Sequence, residues 1–379
     1  MGSEISQTIV EILAEAGIDF FAMLPCEKVK RLYQITARRF RHVILSREEE
    51  GVGICAGAYF AGAKPAMLVQ SSGIGNMMNA LCSLTLTYQL PLLILVSWRG
   101  VYKEKIPAQV PLGENLPKIL RAVGIKYSVI EDGKDAPRIA EAALKAYEDN
   151  EVRAVLLSPS IWEHEVPTSD NTGESRNRKA AHVQTIERSR HPEPILTRLE
   201  ILKTAIPYLE GKVVVCNLGV PCKELHSVIN QKSNFYMLGS MGLASSIGLG
   251  ISLFTSKHVT VIEGDGSTLT NLGTLSTIAI AEPSNLTILE IDNGVHGSTG
   301  NQATATSHGV DLATTAIGLG IRRVSKVASR VEILSVLEDC LKGGPNFVHV
   351  IARPGNADLP DVPLTPTHIK SNVMEALRE

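Results

Sequence analysis

"VIEGDGSTLTNLGTLSTIAIAEPSNLTILEIDNG", residues 261–294, decides the fold. An apolar strand, Val259-Thr260-Val261-Ile262, runs into Gly264-Asp265-Gly266, and a helix-like segment opens at Ser267. A second apolar run, "LTILEID", then ends at Asn293-Gly294. A strand–helix–strand unit of this length makes the two strands parallel and sets their C-terminal ends side by side. Asp265 and Asn293 would therefore stand at neighbouring strand ends, where open α/β sheets bind ligands. Gly264 and Gly266 permit a tight turn and a close backbone approach, and the free N–H groups of a helix start suit a phosphate. A carboxylate beside a neutral oxygen suits a hard cation such as Mg²⁺, which takes one or two carboxylates together with phosphate oxygens. Asp-Gly and Asn-Gly are also ordinary turn pairs. The matched strand ends, with 26 residues between Gly266 and Asn293, favour a ligand site over two unrelated turns.

The same alternation of apolar runs and helical periods fills the rest of the chain, the signature of parallel α/β sheets. Strands are predicted at "DFFAMLP", "HVILS", "PAMLVQ", "LPLLILVS" and "RAVLLSP", and again at "KVVVCNL", "NFYMLG", "HVTVIEG", "LTILEID" and "FVHVIA". Between the two sets, residues 164–194 are polar, proline-punctuated and poor in large apolar side chains, which reads as an exposed linker. The domains are then residues 1–163 and 195–379. Gly57, Gly73 and Gly75 recur as Gly248, Gly264 and Gly266, 191 residues on, which suggests that the halves are related.

Composition narrows the partners. The 379 residues are 44% hydrophobic and 20% charged, with a net charge of −2, so nothing favours nucleic acid or an acidic membrane surface. No apolar run reaches the roughly 18 residues of a membrane span. Six scattered cysteines contain no C-x-x-C pair, which argues against a metal cluster and for a reducing, cytoplasmic compartment. "MGSEISQTIVEILAEAG" reads as an amphipathic first helix.

Gly-Asp-Gly, 26 residues and Asn resembles the signature of the thiamine-diphosphate enzymes, whose cofactor diphosphate is anchored through Mg²⁺. The resemblance puts the cation on Asp265, Asn293 and the backbone carbonyl of Val295, and the diphosphate on Gly266 and Ser267. "LGSMGLASSIGLG" (238–250) resembles the segment preceding that motif, in which a bulky residue, here Met241 beside Ser240, supports the bent cofactor. Read alone, Met241 would be ordinary core packing. "NLGVPCKEL" (217–225) resembles another cofactor-side turn, with Gly219 as its contact.

In that family a glutamate shares a proton with the pyrimidine ring, which requires a partly desolvated carboxyl. "SREEEGVGICAGAYFAGAKP" (46–65) offers Glu48, Glu49 and Glu50. The segment is apolar nearly all round, so helical phase does not choose among them. Similarity to the family pattern, counted back from Gly57 and Lys64-Pro65, selects Glu48. Glu49 and Glu50 are then expected to be a solvated helix start. The implied fold is a pair of related open parallel-sheet domains, pyrimidine-binding and diphosphate-binding, with no middle domain. The resemblance further implies a homodimer or higher homo-oligomer with sites between subunits.

"LPLLILVSWRG", "AQVPLGENLPKIL" and "MLPCEKVKRL" resemble the decarboxylases of 3-substituted pyruvates, a branch that comprises the sulfopyruvate and phosphonopyruvate decarboxylases. "REEEGVGICAGAY" is most similar to the former, which serve coenzyme M biosynthesis and often exist as two subunits. Such a substrate carries two anionic groups, so fixed cations are expected. Arg99 is the first candidate because a guanidinium suits a tetrahedral oxyanion, and Lys28, Lys103 and Gln109 are others. Each of these is equally an ordinary surface group. The substrate carboxylate should face an apolar region, where desolvation favours loss of CO₂. For proton transfer, His296 is better placed in the sequence than His42. A phosphonopyruvate decarboxylase and a non-catalytic thiamine-diphosphate-binding protein remain the alternatives, and the intact Glu48, Asp265 and Asn293 argue against the second.

Overall fold

The structure is a computed structural model that describes residues 5–163 and 193–379; the linker reading of 164–194 falls, apart from residues 193 and 194, outside them. The described residues form two six-stranded sheets. The first contains β1 (Phe20–Met23), β2 (Arg41–Ile44), β3 (Pro65–Gln70), β4 (Leu92–Ser97), β5 (Lys126–Ile130) and β6 (Val152–Leu157) in the order β2-β1-β3-β4-β6-β5. The second contains β7 (Val213–Cys216), β8 (Asn234–Tyr236), β9 (Val259–Gly264), β10 (Leu286–Asp292), β13 (Arg323–Val327) and β14 (Asn346–Ile351). A two-stranded hairpin, β11 (Val295–His296) and β12 (Gln302–Ala303), lies between β10 and β13 in the chain. Every pairing within the two large sheets is parallel.

The second sheet runs β8-β7-β9-β10-β14-β13, the same order of first-to-sixth strands as the first. The central strands, such as "LLILVS" and "LTILEID", are buried along their whole length because helices cover both faces. The ten predicted strands are all present. Of those that were missed, β5 and β13 are edge strands with half-exposed polar faces, "KYSVI" and "RVSKV", that lack an apolar run to announce them, and β11 and β12 are two residues each, too short to show a pattern.

The halves meet along two helices, Glu48–Phe60 and Ala244–Ser252. The first carries three glycines and two alanines and the second two glycines, three serines and an alanine, and small residues let backbones approach. A Cβ on Gly57 would lie 2.0 Å from the carbonyl oxygen of Ile247, and one on Gly250 would lie 2.0 Å from that of Ile54. The contact is therefore reciprocal. It pairs Ile54 with Ile247 and Gly57 with Gly250, each 193 residues apart, the same offset as between the starts of β1 and β7. That corrects the expected offset of 191, which aligned Gly57 with Gly248. The relation between the halves stands, but the glycine spacing slips it by two residues.

Candidate active site

β9 and β10 are neighbours, with Gly264 paired to Ile291, so the two turns that follow them are adjacent. Asp265 opens a short helix, Asp265–Thr270, and the chain resumes helical form at Gly273–Ala281. A cavity of about 180 Å³ over these strand ends is lined by Met241, Asp265, Gly266, Ser267, Asn293 and Val295 among others. Six of the predicted cofactor residues thus share one cavity. Gly219 borders it: its φ is +84°, a conformation glycine adopts without strain, and its Cα faces Ser298 of the cavity wall. Ser240 also has a left-handed backbone, φ +58°, and its hydroxyl lies 2.6 Å from that of Ser83 in the first half. Ser267 accepts from the Gly242 N–H at 2.9 Å, which ties the turn after Met241 to the Gly-Asp-Gly turn. His296 lies against Gly266, where a Cβ would come 2.5 Å from the imidazole Cε1, so a larger residue there would displace the ring.

Asp265 is buried, 2% exposed, and burial pushes its carboxyl above the ordinary range, with the nearby Asp292 charge acting in the same direction. Its Oδ2 accepts from the Thr304 hydroxyl and, at 3.1 Å, from Thr306. Asn293 Oδ1 accepts from Val295 N at 3.2 Å, and Asp292 accepts from Gly294 N at 3.0 Å and lies 2.9 Å from His349 Nε2. No group of three or more His, Cys, Asp or Glu side chains is arranged to hold a metal among the described residues. The donors here are a carboxylate, a carboxamide and a main-chain carbonyl. They are all hard oxygens, too few to enclose a cation without phosphate and water, and that set fits Mg²⁺. Deeper in the same sheet Glu263 and Glu290 stand in register on β9 and β10. Burial raises both carboxyls, Glu263 to about 7.

In the first half Glu48 heads its helix and is 3% exposed. Asn76 donates to its Oε2 at 2.9 Å, and a Cβ on Gly73 would sit 2.7 Å from the glutamate Cγ and Oε1. The first turns of the helix Ser71–Ala80, "SSGIGN", therefore seat Glu48 directly. Glu49 is half-buried, with Arg47 at 3.5 Å. Glu50 contradicts the expected solvated helix start. It is fully buried, accepts from Ser46 N, and accepts from the Thr277 hydroxyl of the second half at 2.9 Å. It closes the helix N-terminus and joins the seam between the halves, and that burial raises its carboxyl above its ordinary value.

The predicted substrate residues do not gather in the cavity. Arg99 is buried and committed to Glu104 through two bonds, Nε to Oε2 at 2.6 Å and Nη2 to Oε1 at 2.9 Å. Glu104 also accepts from the backbone of Gly100, Lys105 and Ile106, and its carboxyl is held down to about 2, chiefly by Arg99. The pair fixes the turn after β4. Lys103 is exposed and bonded to Glu163, Lys28 is 3.8 Å from Glu27, and Gln109 ends the Pro107–Gln109 turn with its side-chain oxygen unpaired. His42 lies within β2, its Nδ1 3.2 Å from the Phe40 carbonyl. Asp292, Thr304 and Thr306 were not singled out in the sequence, and "NQATATSHG" carries no spacing signal for the threonines.

Residues 3–118 match the N-terminal TPP binding domain of thiamine pyrophosphate enzymes, and residues 212–350 match the C-terminal TPP binding domain. A sulfopyruvate decarboxylase from Methanosarcina acetivorans is 41% identical, over 98% of this chain and 97% of that protein. A phosphonopyruvate decarboxylase from Streptomyces viridochromogenes is 32% identical, over 92% of this chain and 89% of that protein. The halves also match separate proteins of Methanococcus maripaludis: sulfopyruvate decarboxylase subunit alpha (37% identical, 42% of this chain, 98% of the subunit) and subunit beta (40%, 48% and 99%). Among solved structures, benzoylformate decarboxylase from Polynucleobacter necessarius shares the fold, with a TM-score of 0.74 at 13% identity over 94% of this chain and all of that one. The chain belongs to the thiamine pyrophosphate enzymes, in their branch of sulfopyruvate and phosphonopyruvate decarboxylases.

Proposed function

We propose that the chain decarboxylates 3-sulfopyruvate to sulfoacetaldehyde with thiamine diphosphate and Mg²⁺, a cytoplasmic step of coenzyme M biosynthesis. The observation that carries this reading is the cavity itself: Asp265, Asn293 and Val295 converge there with Gly266, Ser267 and Met241, and Asp265 is buried with hydroxyls for its partners. Near-full-length similarity to the Methanosarcina enzyme supports the choice of sulfonate over phosphonate.

When bound, thiamine diphosphate supplies the carbanion and the electron sink that loss of CO₂ needs. Asp265, Asn293 and the Val295 carbonyl would hold Mg²⁺, and Gly266 and Ser267 would receive the diphosphate. Met241, 38% exposed, presents an apolar surface at the cavity, and Gly219 and Ser240 shape its border. Glu48, its Oε2 oriented by Asn76, is the carboxyl that would share a proton with a bound pyrimidine ring. His296, in the cavity wall, returns a proton to the product. The cavity's lining comes from the second half, and Glu48 is not part of it. That supports a homo-oligomer in which residues 1–163 of one copy face residues 195–379 of another. Arg99, Lys28, Lys103 and Gln109 are the candidates to meet the sulfonate, with Arg99 paired to Glu104, Lys103 to Glu163 and Lys28 close to Glu27. Initial rates of CO₂ release from sulfopyruvate, phosphonopyruvate and pyruvate test the reading. Sulfopyruvate should be fastest, and a preference for phosphonopyruvate would replace the substrate assignment.

A further inference from the structure

Thr304 bridges the two turns that carry the proposed cation ligands. Its N–H donates to the Gly294 carbonyl at 2.9 Å, and its hydroxyl donates to Asp265 Oδ2. Thr306 bridges them again, 2.8 Å from Asp292 Oδ1 and 3.1 Å from Asp265 Oδ2, with the Thr304 hydroxyl 2.9 Å away. The hydroxyl of Thr306 has one proton, so it serves one carboxylate at a time. Thr304 is 3% exposed and starts the Ala305–His308 turn, so these hydroxyls are held in place by the backbone. Ser307 closes the same ring, donating to the Gly294 carbonyl. Asp265 Oδ2 is thereby engaged by Thr304, and by Thr306 whenever that hydroxyl turns from Asp292, which leaves Oδ1 for a cation.

We propose that Thr304 and Thr306 are positioning residues for the divalent cation. They orient Asp265 through Oδ2 and lock the Gly-Asp-Gly turn to the Asn293–Val295 turn, so that the three ligands come into place together. Partners that orient a metal ligand are commonly worth 10- to 100-fold in metal affinity. Without them Asp265 would be free to rotate, and the hairpin of β11 and β12 would lose its tie to β9.

The inference rests on the reading of Asp265 as a cation ligand, and one experiment separates the two. Mn²⁺ binding in the presence of thiamine diphosphate is followed by loss of the free-ion electron paramagnetic resonance signal. Thr304→Val and Thr306→Val should each weaken binding about 10- to 100-fold, while Thr304→Ser and Thr306→Ser, which keep the hydroxyl, should stay within about threefold of the parent. Valine variants that bind within twofold of the parent would overturn the proposal, as would serine variants that lose as much as valine. Should a valine variant fail to fold by circular dichroism, the alanine variant at the same position is read by the same criteria. Asp265→Asn is the control. If it binds Mn²⁺ like the parent, the cation-ligand reading itself falls; if it loses binding while the valine variants do not, only the role of the threonines falls.

Discussion

Gly57→Ala should damage this protein far more than a methyl group ordinarily does. The added Cβ would lie 2.0 Å from the Ile247 carbonyl oxygen and 2.7 Å from the Ile251 nitrogen, both backbone atoms that cannot swing aside. Ordinary contact begins at about 3.4 Å, so the two helices would have to separate by about 1.4 Å. A gap of 0.5–1 Å already forfeits about a quarter to a half of the dispersion attraction across it. Overpacking typically costs about 1–3 kcal/mol, and an obstruction by backbone belongs at or above the top of that range. About 3 kcal/mol would lower the melting temperature by roughly 6–12 °C for domains of this size. Gly75→Ala is the internal control: its Cβ would meet Leu112 Cδ2 at 3.5 Å, an ordinary contact, and within a helix the change should be neutral or stabilise by up to about 1 kcal/mol. Gly250→Ala should mirror Gly57→Ala, because its Cβ would meet Ile54 O at 2.0 Å. The double variant should fall short of the sum, since one separation relieves both clashes. Thermal melts followed by circular dichroism measure all four. If Gly57→Ala and Gly250→Ala melt within 2 °C of Gly75→Ala, the close-packed seam is refuted.

Glu48→Gln should still bind thiamine diphosphate but lose about 10²- to 10⁴-fold in kcat; steady-state kinetics on the 48, 49 and 50 glutamine variants check this, and an inactive Glu49→Gln with an active Glu48→Gln would shift the assignment. Glu50 has a folded pKa raised above its ordinary 4.5, so its contribution to stability is full below that pH and is lost as pH rises through the raised value. The melting temperature of Glu50→Gln relative to the parent should therefore climb from pH 4.5 upwards, and a constant offset would contradict it. Arg99→Leu and Glu104→Leu should each cost about 3–5 kcal/mol by stranding a buried charge, and the double variant should cost less than either. Urea unfolding compares the three, and a double variant worse than both singles would show that the pair itself holds the turn more firmly than its desolvation costs.

Much of the architecture was legible because its signals are local. A buried central strand is an apolar run, and the Gly-Asp-Gly and Asn-Gly turns mark the ends of two of them. The strand order of each half follows from pairings between residues far apart in the chain, and the edge strands β5 and β13 carry no apolar run to mark them. Glu50 was misread for a similar reason: its neighbour Thr277 is 227 residues away, and three adjacent carboxylates look alike until something covers one of them. Arg99 differs, since Glu104 lies five residues on in "SWRGVYKEKIP" and the buried pair could have been suspected from that proximity. Thr304 and Thr306 were invisible because a hydroxyl gains its meaning from the carboxylate it meets, and Asp265 is some 40 residues upstream.

The reciprocal glycine crossing has a consequence for the covalent continuity of the chain. The two halves are held together by backbone packed on backbone, by Glu50 on Thr277 and by Ser83 on Ser240, none of which involves residues 164–192. The peptide between the halves then acts as a tether: it raises the effective concentration of one half near the other, and the shape of the complex is set elsewhere. On that view a fused chain and a pair of separate subunits are two deliveries of the same assembly, differing in how strongly association depends on dilution.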